Sequence, residues 1–118
     1  MDKEKIKIYV KPTCTTCKKV LKVMKERGID FETINYYEKS LTKEKLGQLL
    51  KKLGVSPREI LRKNEKEYKK LGLHKRELSD SDILDLMLKY PDLIQRPIVE
   101  KGNKAILARP VEKIEEFL

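Results

Sequence analysis

Residues 6–36 read IKIYVKPTCTTCKKVLKVMKERGIDFETINY, and this stretch decides the fold. Its first five residues carry an apolar side chain at every second position, which predicts a β-strand. From Cys17 to Met24 the apolar spacing becomes i, i+3, i+4, i+7, which predicts an amphipathic helix that Gly28 ends. The apolar positions Phe31, Ile34 and Tyr36 predict a second strand. A strand, a helix and a strand in this order predict a βαβ unit with parallel strands and a right-handed crossover.

The chain from about 42 to 90 is helical in character and forms a predicted insertion after the βαβ unit. Capping residues divide it into three short helices up to residue 73, followed by a fourth helix that must stop before Pro91. The candidate helix N-caps are Thr42, Ser56, Asn64 and either Ser79 or Ser81. No internal repeat competes with this division.

The last part of the chain predicts a β-hairpin and a final helix. A strand begins at Arg96-Pro97-Ile98-Val99, Lys101-Gly102-Asn103 supplies the turn, and a helix begins at Pro110. The complete order is βαβ, inserted helices, ββα. This is the order of an α/β protein with a thioredoxin-like fold and a mixed four-stranded sheet, and we expect one domain over residues 1–118.

Length and composition restrict the class of protein. The chain has 118 residues, and no stretch reaches the roughly 20 consecutive apolar residues of a membrane helix. The first ten residues, MDKEKIKIYV, contain no apolar signal core, so we expect a cytoplasmic protein. The net charge of +9 admits anionic small molecules, acidic protein partners or nucleic acid. Lysines beside glutamates, as in NEKEYKK, favour solvated helix faces over a polyanion-binding surface.

Both cysteines of the chain, Cys14 and Cys17, lie in one CxxC motif at the junction of the first strand and helix. A disulfide across so short a loop would stabilise the fold little, so the motif predicts redox chemistry. A thiolate at a helix N-terminus is stabilised by unpaired N–H groups and the helix dipole. We therefore expect Cys14 to be the nucleophile. Cys17, one helical turn later, is the possible resolving thiol.

Two other interpretations of the cysteines are weaker. Inert, half-buried cysteines behave as small hydrophobic residues, but a CxxC motif at a strand–helix junction is more specific than that. A closed zinc site needs four ligands, and the only further soft ligand is His74, in a charged loop where a surface position is the simpler interpretation. We predict no metal site.

Three arginines occur in distinctive phrases: Arg62 in ILRKN, Arg96 in IQRPIV and Arg109 in LARPV. Guanidinium groups bind tetrahedral oxyanions through paired donors, and the hydroxyl groups of Thr15 and Thr16 are possible further donors beside Cys14. Spacing alone does not bring the three arginines together.

The phrases IYxxPTC, INYYE, ILRKNxxxYKKLGL, LIQRPIV and ARP occur in order along the chain. With them the sequence resembles the glutaredoxin-coupled arsenate reductase (ArsC) family over nearly its whole length. The resemblance implies that Cys14 attacks arsenate. It also implies that Arg62, Arg96 and Arg109 bind the oxyanion and that a cis peptide bond precedes Pro97. Glutathione and glutaredoxin would complete reduction to arsenite.

Two positions depart from the pattern of that family. Val10 stands where typical members carry a histidine four residues before the nucleophile, and Cys17 stands where they commonly have serine. A second cysteine is typical of the related Spx-type regulators. It makes an internal disulfide and thioredoxin as electron donor possible alternatives to glutathione.

Three functions therefore compete. The protein is an arsenate reductase-like enzyme, a thiol reductase with another substrate, or an Spx-type redox sensor that binds RNA polymerase. The full set of arginines favours the enzyme. We expect no direct DNA binding, because no recognition-helix motif or aromatic platform accompanies the positive charge.

Overall fold

The structure, a computed structural model, describes residues 5–63 and 65–117, and only the backbone of His74. It contains four strands and four α-helices within this part of the chain. Their bounds are β1 Ile6–Val10, α1 Thr15–Glu26, β2 Phe31–Asn35, α2 Lys43–Leu53, α3 Lys66–Lys70, α4 Asp80–Lys89, β3 Ile98–Lys101 and β4 Lys104–Leu107. The chain divides into two compact units, the described residues of Met1–Lys39 with Arg96–Leu118, and Ser40–Gln95.

The first unit contains the predicted mixed sheet, with strand order β2-β1-β3-β4. β1 is parallel to β2 and antiparallel to β3, and β3 and β4 form the predicted hairpin. The side chains of β1 that alternate toward one face pack in a core with α1 and with the final segment. This core includes Ile6, Ile8, Val10, Cys17, Val20, Met24, Val99, Ala108 and Ile114.

A buried polar pair links the two central strands of this sheet. Tyr9 on β1 donates a hydrogen bond of 2.7 Å from its hydroxyl to Oε1 of Glu100 on β3. Tyr9 is 1% exposed and Glu100 is 4% exposed, so both side chains are shielded from bulk solvent. The partnership satisfies two polar groups whose burial would otherwise destabilise the fold.

The parallel strands bring their carboxyl ends together. Val10, the last residue of β1, pairs with Asn35, the last residue of β2. The prediction that the second strand continues to Tyr36 was wrong. Asn35 ends the strand because its side-chain Oδ1 accepts from the N–H of Tyr37 and its backbone carbonyl accepts from Glu38 and Lys39. Such a side-chain turn competes with sheet pairing.

The second unit contains α2, α3 and α4 with short 3-10 helices at Pro57–Ile60, Leu73–Lys75 and Pro91–Leu93. Thr42 caps α2 as predicted, and of the two candidates for α4 it is Ser79 that caps the helix. The segment after Ser56 has the predicted capping box but forms a 3-10 helix of four residues. The predicted cap Asn64 lies outside the described residues, and Glu65 is the N-cap of α3.

Two further observations complete the fold. The final helix, predicted from Pro110, is a 3-10 helix over Val111–Phe117. None of the helices within the described ranges is both long and apolar enough to span a membrane.

Candidate active site

Cys14 is the N-cap of α1. Its Sγ accepts a hydrogen bond of 3.4 Å from the backbone N–H of Cys17, and its own carbonyl accepts from the N–H of Lys18. The N–H of Cys14 donates to the carbonyl of Lys11, which closes the turn between β1 and the helix. The sulfur therefore takes the place of the usual serine or aspartate oxygen at a helix N-terminus, where a negative charge is favoured.

The pKa of Cys14 lies below its ordinary value. Burial works against this by raising the pKa, but hydrogen bonds from the thiol and the backbone of Cys17 and the guanidinium of Arg96 outweigh burial. Each of these donors is stronger toward a thiolate than toward a thiol. Cys14 is 8% exposed and is not in a disulfide, so its thiol is shielded but acidic.

Cys17 has the opposite character. It is 1% exposed and lies within the first turn of α1 as a free cysteine. Burial and the charge of Cys14 both raise the pKa of Cys17, and its thiol donates toward Cys14. The two sulfur atoms are thus neighbours with unequal acidity, the arrangement that a nucleophile and a resolving thiol require.

The segment before β3 brings the guanidinium group of Arg96 close to Cys14. Arg96 is 6% exposed, and the peptide bond between Arg96 and Pro97 is cis, the geometry that the resemblance implies. Burial lowers the pKa of Arg96, but the nearby Tyr37, Tyr36 and Cys14 raise it by more. The pKa therefore lies above its ordinary value, and the guanidinium group stays charged. A guanidinium in this position both stabilises the thiolate and offers a charge to an anion at the sulfur.

Arg109 lies close to Arg96 and to the first turn of α1. Its Nη1 is 3.4 Å from Oγ1 of Thr16 and 3.4 Å from the carbonyl oxygen of Arg96, with hydrogen-bonding geometry to both. Arg109 is exposed, whereas Arg96 is buried. Thr15, the first residue of α1, is also exposed. The structure therefore brings together Cys14, Cys17, Thr16, Arg96 and Arg109 of the predicted site.

A tyrosine pair beside this site was not predicted as part of it. Tyr36 and Tyr37 follow β2, with ring centroids 4.9 Å apart, and the Nζ of Lys11 lies 5.2 Å from the ring centroid of Tyr37. Tyr36 is 3% exposed. The sequence signal was present, because the paired tyrosines occur in the phrase INYYE, but the alternation of β2 had assigned Tyr36 to the strand.

This geometry can be compared with known proteins. A protein-family model described as the ArsC family matches residues 9–117. The chain belongs to the ArsC family. It is 37% identical over 113 residues to the arsenate reductase of Escherichia coli strain K12, covering 96% of this chain and 80% of that protein.

Two further members of the comparison cover nearly the whole of both chains. The uncharacterised protein YfgD of Escherichia coli strain K12 is 36% identical, with 98% of each chain covered. The structure of an arsenate reductase from Vibrio cholerae has a TM-score of 0.92 and 34% identity, covering 99% of this chain and 100% of that chain. These matches confirm the predicted α/β fold and the resemblance to the ArsC family.

Arg62, the third predicted arginine of this ArsC protein, belongs to the second unit. Its backbone N–H donates to the carbonyl of Leu93, and its side-chain Nε pairs with Oε1 of Glu65 at 3.1 Å. This ion pair with Glu65 occupies the Nε edge of the guanidinium group of Arg62. The role of Arg62 in binding an oxyanion stays a prediction.

One carboxylate group in the described part of this ArsC protein has the spacing of a metal site. It consists of Glu65, Glu67 and Asp92 in the second unit, whose ligand atoms lie within 4.8 Å of one another. The ion pair between Glu65 and Arg62 already balances one of these charges.

Proposed function

We propose that the protein is a thiol-dependent arsenate reductase in which Cys14 forms the covalent adduct with arsenic. The observation that carries the proposal is the position of Cys14 at the N-terminus of α1 beside the buried guanidinium of Arg96. A thiol with a lowered pKa and a fixed positive charge beside it together suit attack on an anion. Without the positive charge, the anionic substrate would repel the thiolate. The relatives named arsenate reductase support the choice of substrate.

The first step joins the thiolate to the substrate. Cys14 attacks arsenic and forms an S–As bond, while one oxygen of arsenate takes up protons and leaves as water. The N–H groups at the start of α1 and the guanidinium groups of Arg96 and Arg109 neutralise the remaining oxygens. We assign Arg62, Thr15 and Thr16 to the same oxyanion-binding set.

The second step transfers two electrons to arsenic. Another thiolate attacks the sulfur of Cys14, an S–S bond forms, and the electron pair of the S–As bond stays on arsenic, which leaves as arsenite. In sum, arsenate and two thiols give arsenite, a disulfide and water, so arsenic(V) is reduced and two sulfurs are oxidised. With Cys17 as the second thiol, the product is an internal Cys14–Cys17 disulfide.

The environment of Cys17 supports this role. The negative charge of Cys14 is one of the causes that raise the pKa of Cys17, after burial. Formation of the S–As bond removes the charge from the sulfur of Cys14, and the guanidinium groups of Arg96 and Arg109 would neutralise the charge that the arsenic oxygens carry. The first step would thus remove one obstacle to deprotonation of Cys17. Cys17 would become more acidic only after the S–As adduct on Cys14 has formed.

Reductants of thiol type would restore the enzyme. Thioredoxin would open an internal disulfide, and glutathione with glutaredoxin would serve if glutathione resolves the adduct instead. We propose a cytoplasmic location, where both systems maintain free thiols, and a single domain over residues 1–118.

The decisive experiment measures arsenite formation by the purified protein with glutaredoxin and glutathione, and separately with thioredoxin. Cys14→Ser should lower turnover at least about 1,000-fold with both systems, because it removes the attacking sulfur. Cys17→Ser is the matched control: it should lose turnover with thioredoxin but keep turnover with glutathione. Absence of arsenite formation by the unaltered protein with both systems would overturn the proposal.

A redox-sensing regulator that binds RNA polymerase is the second candidate, favoured by the adjacent pair of free thiols. For this function, oxidation should form the Cys14–Cys17 disulfide and change binding to RNA polymerase, without arsenate turnover. Mass spectrometry of the oxidised protein and a binding assay in both redox states distinguish the two functions.

A further inference from the structure

The hydroxyl of Tyr36 has an unusual status in the fold. Its oxygen is buried and makes no hydrogen bond among the described residues, although the side chain is only 3% exposed. Burial raises the pKa of Tyr36, and the side chain of Tyr37 counteracts this without reaching hydrogen-bonding geometry to the Tyr36 hydroxyl. Buried hydroxyl groups usually have partners, because an unsatisfied one destabilises the folded state.

Tyr9 in the same unit shows how this fold treats a buried tyrosine that serves structure. Its hydroxyl donates to Glu100 at 2.7 Å, and the pair joins two neighbouring strands. A phenylalanine at position 36 would fill nearly the same volume without burying an unsatisfied donor. By this reasoning we expect the Tyr36 hydroxyl to lower the stability of the free protein, so its presence needs another explanation.

The position of Tyr36 supplies that explanation. It directly follows Asn35, which pairs with Val10 at the carboxyl ends of two parallel strands. The loop from Val10 to Cys14 begins at the same edge, the edge where open α/β sheets bind ligands. Tyr36 interacts electrostatically with Arg96, Cys17 and Cys14.

The hydroxyl is within electrostatic range of the Cys14 sulfur but does not hydrogen-bond to it. In an adduct, the oxygens on arsenic extend beyond the sulfur toward the groups that surround it. We propose that Tyr36 donates a hydrogen bond from its hydroxyl to an oxygen of the tetrahedral oxyanion bound at Cys14, and so acts as a substrate-binding residue. This inference rests on the proposed function for the identity of the anion as arsenate.

The proposal predicts that removal of the Tyr36 hydroxyl oxygen has opposite effects on folding stability and on anion binding. Tyr36→Phe should leave the urea midpoint of unfolding unchanged or raise it, because it removes an unsatisfied buried donor. The same variant should raise the arsenate concentration that half-protects Cys14 from alkylation by about tenfold, the usual effect of losing a hydrogen bond to a charged group. The rate of Cys14 alkylation without arsenate should change less than about twofold, since no hydrogen bond to the thiolate is lost.

Tyr9→Phe is the matched control, because it removes a buried tyrosine hydroxyl that has a partner. It should lower the urea midpoint, since Glu100 loses a buried hydrogen-bond donor, and should keep the half-protecting arsenate concentration of the unaltered protein. The two variants thus exchange their effects in the two assays. A general loss of packing would instead lower the urea midpoint and weaken protection by arsenate in the same variant.

Three results would overturn the inference: an unchanged half-protecting concentration in Tyr36→Phe, a urea midpoint that falls as in Tyr9→Phe, or no protection of the unaltered protein by arsenate. The protection assay needs no turnover, so it separates the inference from the proposed function. Weaker protection in Tyr36→Phe, in a protein that forms no arsenite, would support an oxyanion-binding tyrosine and reject the reductase. Normal turnover with unchanged protection would do the reverse.

Discussion

The two thiols of the CxxC motif differ because one residue caps the helix and the other lies inside it. Cys14 receives donors at its sulfur from Cys17 and Arg96, whereas Cys17 is a buried donor beside a negative charge. A spacing of three residues places both on one side of α1, yet it also moves them from the helix N-terminus into its first turn. The difference in reactivity is therefore built into the motif.

We expect iodoacetamide at pH 6 to modify Cys14 before Cys17, because only the thiolate reacts and the pKa of Cys14 is lowered. Arg96→Ala should slow this labelling at pH 6 and move its pH profile upward, with little change near pH 9. Arg96→Lys keeps a charge without the paired donors and should give an intermediate profile. Peptide mapping by mass spectrometry measures both sites, and earlier labelling of Cys17 would reverse their roles.

The sequence predicted the local part of this site but not its distant partners. Cys14 lies between a strand and a helix that are both visible in residues 6–36, so its position at a helix N-terminus followed directly. Arg96 reaches Cys14 through the pairing of β1 with β3, and spacing carries no information about that pairing. The resemblance was needed to select Arg96. The donor role of Tyr36 required knowledge of which buried hydroxyl has no partner.

Among the elements, α2 shows how strongly one residue can define a boundary. Thr42 accepts from the N–H of Lys45 at the start, and Gly54 ends the helix with φ of 74°. Gly54 accepts this left-handed conformation at no steric cost, whereas a residue with a Cβ is strained there.

Gly54→Ala should lower the free energy of unfolding by about 1 kcal/mol, because alanine would have to adopt a positive φ. Gly47→Ala in the middle of α2 is the matched control and should raise it by about 0.5–1 kcal/mol, the helix propensity difference. An added Cβ meets no atom within 4 Å at either position, so packing does not confound the comparison. Urea unfolding measures both values, and equal signs would contradict the assigned boundary.

The predicted element order was confirmed, while helix type and strand ends differed. Capping boxes and proline mark where a helical segment begins, but they do not distinguish an α-helix from the short 3-10 helix at Pro57–Ile60. The end of β2 depended on a hydrogen bond from Tyr37 to the side chain of Asn35. Alternation of apolar residues continued past that point and gave no sign of it.

At the scale of the whole molecule, several buried groups hold their protons more tightly in the folded state. Burial raises the pKa of Tyr9, Tyr36 and Cys17. A group with a raised folded-state pKa contributes stability below its unfolded pKa and loses it as pH rises further. For these groups the loss begins above about pH 9 for the cysteine and about pH 10 for the tyrosines. Cys14, with its lowered pKa, acts in the opposite direction and only below that window.

The free energy of unfolding should therefore fall steeply between about pH 9 and pH 11, by about 1.4 kcal/mol per pH unit for each group that titrates only on unfolding. Urea unfolding across this range measures the slope, and repetition at high salt screens the surface charges. Cys17→Ala should reduce the slope between pH 9 and 10, and Tyr36→Phe should reduce it above pH 10. A flat profile to pH 11 would contradict the buried, protonated state of these groups.

The strand order β2-β1-β3-β4 also has a consequence for biosynthesis. Its central pairing joins distant parts of the chain, as Tyr9 and Glu100 show with a separation of 91 positions. Long-range pairing is slow to form, and here it must wait until β3 leaves the ribosome. The guanidinium that acidifies Cys14 arrives with that pairing. In a nascent chain that lacks β3, Cys14 is thus without this guanidinium, and the full lowering of its pKa appears only after Arg96 and β3 have left the ribosome.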